Sequence, residues 1–169
     1  IVSICPHCVR TIGTDWKEFG EPPQVEHHSE FRARHREQLP QDSHSGQKVA
    51  YHEPCYLGRY RGVYDEPRQV IGQFAQVVDP PRARERSFCC GAGGGLAFLG
   101  EEKGDRVSMT RARELAGTGA DVVGVACPFC NTMFRDALAS LNGPKLLDIA
   151  QIAAAALPPP APPPPAGNA

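Results

Sequence analysis

Seven cysteines carry the chemistry open to this chain. They fall as the pair Cys5/Cys8, the single Cys55, the adjacent Cys89/Cys90 and the pair Cys127/Cys130. Thiolates ligate soft metals, exchange disulfides or attack as nucleophiles, and the grouping helps to choose among these. Cysteines buried as small hydrophobic filler have no reason to come in pairs. An odd number leaves one thiol over from any complete disulfide framework, and two C-x-x-C pairs suit metal or redox work in a reducing compartment.

Gly91, Gly93, Gly94 and Gly95 follow the adjacent cysteines directly. They do not form a dinucleotide fingerprint: G-x-G-x-x-G begun at Gly91 meets Leu96 where its last glycine should stand, and begun at Gly93 it meets Phe98. A phosphate loop is also missing from the sequence. Structural zinc would take four thiolates, and Cys127/Cys130 is a good half-site. Yet residues 55–130 offer five, and adjacent cysteines point in divergent directions, a poor chelate for one small ion. Dithiol exchange suits Cys127-Pro128-Phe129-Cys130, a thiol pair expected after a strand and at a helix start, but leaves Cys55, Cys89 and Cys90 unexplained.

An iron–sulfur cluster uses all five, because several irons can take divergent neighbours. On this reading Gly91, Gly93, Gly94 and Gly95 let backbone approach the inorganic core and aim N–H groups at sulfide. Five thiolates also point away from a plain four-cysteine cubane. A zinc-stabilised interaction module and a C-x-x-C redox domain stay open as alternatives.

Of the neighbours, His52 stands three residues before Cys55 and is placed to hydrogen-bond cluster sulfur or sit as a polar turn residue. Arg59 would offset cluster charge or form a surface ion pair. Glu101 and Glu102 read as first-turn residues of a helix. The spacing around His27 and His28 does not fit a metal site, and Pro6 and Pro128 shape the turns between paired cysteines. Arg32, Arg34 and Arg36 read as a solvated face. No catalytic residue is singled out.

The elements that must position these residues follow from pattern. IVSICPHCVRTIGTDW aligns with VGVACPFCNTMFRDAL, placing Cys5 on Cys127, Pro6 on Pro128 and Cys8 on Cys130. Each copy reads as a short apolar strand, a Cys-Pro-x-Cys turn, a helix and a second apolar stretch. The second copy is preceded by Cys55 and Cys89/Cys90, the first by nothing comparable. We therefore expect residues 1–31 to be the C-terminal remnant of a first cysteine-rich module, 32–47 a linker, 48–156 a complete module and 157–169 a disordered Pro/Ala-rich tail. Within the complete module, KVAYHEPC starts as a strand, and Asp65-Glu66-Pro67 opens a helix running to about Phe74. Gln76–Val78 is a second strand, a helix spans about Glu102–Ala116, ADVVGVAC is a buried parallel strand, and Asn131–Leu141 is an amphipathic helix. Strands alternating with helices predict an α/β fold, a Rossmann-like layered module with short parallel strands. Cys55 and Cys127 both follow strands, so they should meet at one sheet edge.

The pattern C…CCG…CxxC made by Cys55, Cys89-Cys90-Gly91 and Cys127/Cys130 resembles the cysteine-rich CCG domain. That domain occurs in the heterodisulfide reductase B subunit and the glycolate oxidase iron–sulfur subunit. HEPCYLGRYRGVYDEPR, RSFCCGAGGG and GADVVGVACPFC are similar to the C-terminal part of heterodisulfide-reductase-related iron–sulfur oxidoreductases that act with electron-transfer flavoprotein. The resemblance covers roughly residues 1–150. It implies an electron-transfer role with a 4Fe-4S-type cluster, a noncubane form included, held by Cys55, Cys89, Cys90, Cys127 and Cys130, with Gly91, Gly93, Gly94 and His52 beside it. Cys5 and Cys8 would close the ligand set of the preceding module. The implied partners are other modules of the same longer chain, an electron-transfer flavoprotein or dehydrogenase donor, and a quinone or disulfide acceptor. The implied location is cytoplasmic, at the cytoplasmic face of a membrane through N-terminal segments outside this sequence.

Composition agrees with a globular protein: 169 residues, 41% hydrophobic and 22% charged. A net charge of -1 gives no reason to expect a nucleic-acid partner. The longest apolar run, near Ile152–Leu157, falls far short of the roughly 20 residues that span a bilayer. The chain opens with Ile1 rather than Met, which leads us to expect a fragment or a processed product.

Overall fold

In the computed structural model, residues 1–40, 45–100 and 104–157 are described. The Pro/Ala tail beyond Leu157, and Glu101 and Glu102, lie outside the described residues. The chain is an α/β protein built on parallel strands. β1 (Val2–Ser3), α1 (Pro6–Gly13), β2 (Glu26–His27) and α2 (His28–Arg34) come first. β3 (Lys48–Tyr51), α3 (Gly58–Arg61), α4 (Asp65–Gly72) and β4 (Gln76–Val78) follow, then α5 (Leu96–Leu99), α6 (Val107–Ala116), β5 (Val122–Val125), α7 (Pro128–Ser140), β6 (Lys145–Asp148) and α8 (Ile149–Ala155). The strands form two parallel sheets, β1-β2 and β4-β3-β5-β6.

Strand alternation divides the larger sheet's side chains between two layers. Val49, Tyr51 and Val122 point to a core with Val70, Ile71 and Phe74 on one side and Ile149 and Ile152 on the other, from α4, α8 and their flanks. Ala50, Val123 and Val125 point to the opposite core, with Leu115, Phe134 and Leu138 of α6 and α7. β5 is buried at every residue, as a central parallel strand should be. Gly124 keeps it close to β3, because a Cβ there would stand 2.9 Å from Val49 Cγ1.

The repeat read from the sequence has a structural counterpart. β1-α1-β2-α2 and β5-α7-β6-α8 share element order and parallel pairing, and in both a cysteine, Cys5 or Cys127, is the residue before a helix opened by proline. α2 runs past residue 31 into the expected linker, and packs on α4. Two boundaries move. The helix expected from Glu102 starts at Val107, because Gly104 has φ of 75°, which no right-handed helix admits. α7 starts at Pro128 rather than Asn131, since proline is preorganised for a first helical position. Among the described residues, no helix is long and apolar enough to cross a membrane.

Candidate metal centre

Five cysteines reach one place by three routes. β3 ends at Tyr51, and the His52 N–H still donates to Gly124 O at 2.9 Å, carrying the strand edge one residue further. Pro54 O then accepts from Leu57 N and Gly58 N, turning the chain tightly around Cys55. Cys127 leaves β5 directly, and Cys130 sits in the first turn of α7. Because β3 and β5 are parallel neighbours, with Tyr51 opposite Gly124, both ends open on the same sheet edge.

Cys89 and Cys90 arrive on a loop that Glu53 fastens to the end of β3. The Glu53 carboxylate is buried, ion-paired to Arg68 at 2.6 Å, and accepts from Arg84 N at 2.6 Å. Ser87 Oγ adds a bond to Glu53 O at 3.5 Å. Gly91 has φ of 90°, and its N–H donates to Cys89 Sγ at 3.3 Å.

Cys55, Cys89, Cys90, Cys127 and Cys130 all line one cavity of about 260 Å³. Its other walls include Gly93, Gly94 and Gly95, the aromatic rings of Tyr56, Phe98 and Phe129, and His7. Cys90, Cys127 and Cys130 are buried, whereas Cys55 and Cys89 sit half-buried toward the rim. Hydrogen bonds from Cys130, Cys89 and His52 hold the Cys90 thiol far below its ordinary pKa. Cys130, bonded to Cys127 and Cys90 and buried, is pushed up, as is Cys89 by its bond to Cys90 and by burial. Cys127 is lowered, first by Cys130 and then by backbone N–H groups at the start of α7. Burial raises Cys55, and the Cys90 charge adds to it, while Arg59 opposes both. Cys90 and Cys127 are thus the thiols favoured as thiolates, and a multiply charged cationic partner would favour ionising the other three.

His52 does not line the cavity. It is buried behind Cys90, with its ring nitrogen and the Cys90 and Cys130 sulfurs within 4.8 Å of one another. Gly93 and Gly94 border the cavity; Gly91 lies beneath it, against the start of α6. Cys5 and Cys8 stand outside the five-cysteine cavity, and Cys8 is exposed. His27 and His28 are buried at β2 and the start of α2, where His27 caps α2.

His7, Glu53 and Arg111 gave no separate signal in the sequence. His7 lies inside the first Cys-Pro-x-Cys turn, and could have been suspected because the repeat sets it on Phe129. Its ring packs on Tyr56 at 4.0 Å and meets Phe129 edge-on at 5.1 Å, with Nδ1 3.9 Å from both Cys5 Sγ and Cys127 Sγ. The two Cys-Pro-x-Cys turns therefore touch through their variable residues. Glu53 adjoins His52 in the sequence, but nothing in spacing announces Arg111, which comes from the middle of α6.

Comparison with known proteins places these observations. Residues 49–135 match the model of the cysteine-rich domain, CCG. The chain is 33% identical over 162 residues to the "probable iron-sulfur-binding oxidoreductase FadF" of Bacillus subtilis, covering 91% of this chain and 23% of that protein. It is 33% identical over 165 residues to the EtfAB:quinone oxidoreductase of Syntrophomonas wolfei, covering 90% and 23%. It is also 33% identical over 162 residues to one of the subunits of the dihydromethanophenazine:CoB--CoM heterodisulfide reductase of Methanosarcina mazei, covering 91% and 40%. The chain thus spans 23% to 40% of the length of these relatives.

Proposed function

The chain belongs to the cysteine-rich domain family, and from that premise we propose that it is an iron–sulfur-binding, electron-transferring part of an oxidoreductase. The observation that carries this reading is the convergence of Cys55, Cys89, Cys90, Cys127 and Cys130 on one cavity. Zinc–sulfur bonds of about 2.3 Å would draw four sulfurs around one ion and strand the fifth. A group with several metals matches the number of thiols that line the cavity. When bound, a 4Fe-4S-type cluster, noncubane in the finer form of the proposal, supplies an electron carrier whose potential follows charge, hydrogen bonding and exposure.

The chain's own residues do the rest. The five cysteines hold the group, and Gly93 and Gly94 bring bare backbone to its edge. Tyr56, Phe98, Phe129 and His7 wall it, and Arg59 offsets negative charge. Residues 1–31 are the closing half of a second module, to which Cys5 and Cys8 belong; the shared order of β1-α1-β2-α2 and β5-α7-β6-α8 supports this. Electrons pass from an electron-transfer flavoprotein or dehydrogenase to a quinone or disulfide, a role supported by the names of the Syntrophomonas and Methanosarcina relatives. A membrane-dissolved acceptor would place the protein at the cytoplasmic face of a membrane.

A second reading, zinc held by His52, Cys90 and Cys130, is favoured by the closeness of their ligand atoms. Anaerobic reconstitution, followed by iron, sulfide and zinc counts and paramagnetic resonance, separates the two. About four irons and four sulfides per chain with a redox-dependent signal are expected. Stoichiometric zinc and a silent spectrum after repeated reconstitution would remove the oxidoreductase reading.

A further inference from the structure

We infer that Arg111 fixes His52 as an N–H donor toward Cys90 and thereby keeps it out of the metal's ligand set. That Cys90 is a ligand rests on the function proposed above; the state of His52 does not.

Arg111 is fully buried in α6, and each arm of its guanidinium has a partner. Nη1 donates to Arg82 O at 2.9 Å and to Glu114 Oε2 at 2.6 Å, and Nη2 donates to Ser87 Oγ at 3.4 Å. Nε donates to His52 Nδ1 at 3.2 Å. Glu114 also accepts from Arg82 Nε at 3.0 Å, so the buried charge is balanced and held from two sides. A buried cation persists only when paired and hydrogen-bonded in this way.

A guanidinium has five N–H donors and no acceptor, and does not give up its proton in proteins. An imidazole nitrogen facing Arg111 Nε must therefore offer a lone pair. With Nδ1 bare, the neutral ring carries its proton on Nε2, the nitrogen left for Cys90. The ring is packed as well as hydrogen-bonded: Phe134 meets it edge-on at 4.7 Å, and the His52 backbone is tied to Gly124.

The polarity is the reverse of that around a metal-bound histidine. Such a ligand hands its second N–H to a carboxylate, a carbonyl or water, leaving the other nitrogen bare for the metal. His52 instead receives a proton donor on Nδ1, so Nε2 keeps its hydrogen and has no lone pair for an ion. Its role is a hydrogen bond to a cysteine sulfur, which draws charge from that ligand and raises the potential of whatever the sulfur binds. Arg111 is a positioning residue acting through His52.

The test follows the ring nitrogens by NMR in the full chain, cluster-free and reduced, with 15N-labelled histidine, before and after Zn2+ is added. We expect His52 in a single tautomer, Nδ1 bare and Nε2 protonated, unchanged by Zn2+. Arg111→Lys, which retains a cationic donor, should preserve the tautomer, whereas Arg111→Met should yield a resolved fraction with Nδ1 protonated. A wild-type Nδ1–H or doubly protonated ring overturns the inference, as does Zn2+ capture by Nε2. A dispersed, folded Arg111→Met spectrum with the wild-type tautomer overturns it equally. The wild-type spectrum is decisive even if both variants fail to fold. A chain that never takes up iron would defeat the electron-transfer reading while leaving the nitrogen readout intact.

Discussion

Replacing Gly91 by alanine tests why a glycine follows the two cysteines. At φ of 90° an alanine is strained whatever space surrounds it, and here there is little: its Cβ would lie 3.1 Å from Ser108 N and 3.2 Å from Val107 Cβ. Both are fixed parts of the start of α6, not the ends of flexible side chains. The left-handed conformation costs an L residue about 1–2 kcal/mol, and overpacking adds about 1–3 kcal/mol. Lower unfolded-state entropy returns about 0.4–1 kcal/mol, leaving a net loss of roughly 1–4.5 kcal/mol. Gly93→Ala is the internal control, since Gly93 lacks a positive φ and nothing lies within 4 Å of its Cβ position. There the same entropy effect should leave stability unchanged or raised by up to about 1 kcal/mol. Urea unfolding of the two variants beside wild type reads the difference, and thermal unfolding should show about 2–4 °C per kcal/mol. The alanine also pushes the N–H that bonds Cys89 Sγ, so iron per chain after reconstitution should fall in Gly91→Ala. Equal stability of the two variants, within about 0.5 kcal/mol, would refute the steric account of the CCG glycine.

Other perturbations separate parts of the site. Cys130→Ser should abolish most iron and sulfide uptake, whereas Cys8→Ser, at an exposed thiol outside the cavity, should leave uptake by the five-cysteine site at wild-type level; metal counts decide it. Glu53→Ala strips Arg68 and the Arg84 backbone N–H of a buried carboxylate, and should cost about 3–5 kcal/mol in denaturant unfolding while loosening the Cys89–Cys90 loop. Burial lowers the pKa of His28 to about 3 and of His27 to about 4. Their folded-state values lie below the unfolded one, so stability is full above the unfolded pKa and lost as pH falls from about 6.5 toward those values. Between pH 7 and 5 each histidine should account for a loss of roughly 2 kcal/mol, and His28→Phe should remove about its share from a pH series of unfolding curves. A slope unchanged in His28→Phe would show that His28 is not held neutral.

The parallel α/β architecture was legible because β5 is an unbroken apolar run and Cys127-Pro128 announces a helix start directly after it. The pairing of Cys55 with Cys127 at one edge followed from the same pattern, since both stand just beyond strands. The roles within the glycine run were not legible: one-letter spacing treats Gly91 and Gly93 alike, and only backbone angles and the approach of α6 distinguish them. Arg111 was hidden for a similar reason. An arginine inside a helix usually faces solvent, and its burial depends on Glu114, Arg82 and His52 converging from different elements. His7 was overlooked because the two Cys-Pro-x-Cys turns were read as copies in sequence, whereas their contact depends on tertiary packing that brings α1 and α7 together.

The pairing of β3 with β5 has a consequence for the timing of biosynthesis. Val49 meets Val122 across a long stretch of chain, and only that meeting brings Cys55 and the Cys89–Cys90 loop to Cys127 and Cys130. Such distant contacts form late, because chain entropy must be surrendered before they return any stability. Of the five cysteines that line the cavity, Cys55, Cys89 and Cys90 are made before α6, and Cys127 and Cys130 only after it. The five-thiol cavity is therefore complete only once β5 has docked on β3, which makes the integrity of that one strand pairing a condition for whatever the cavity holds.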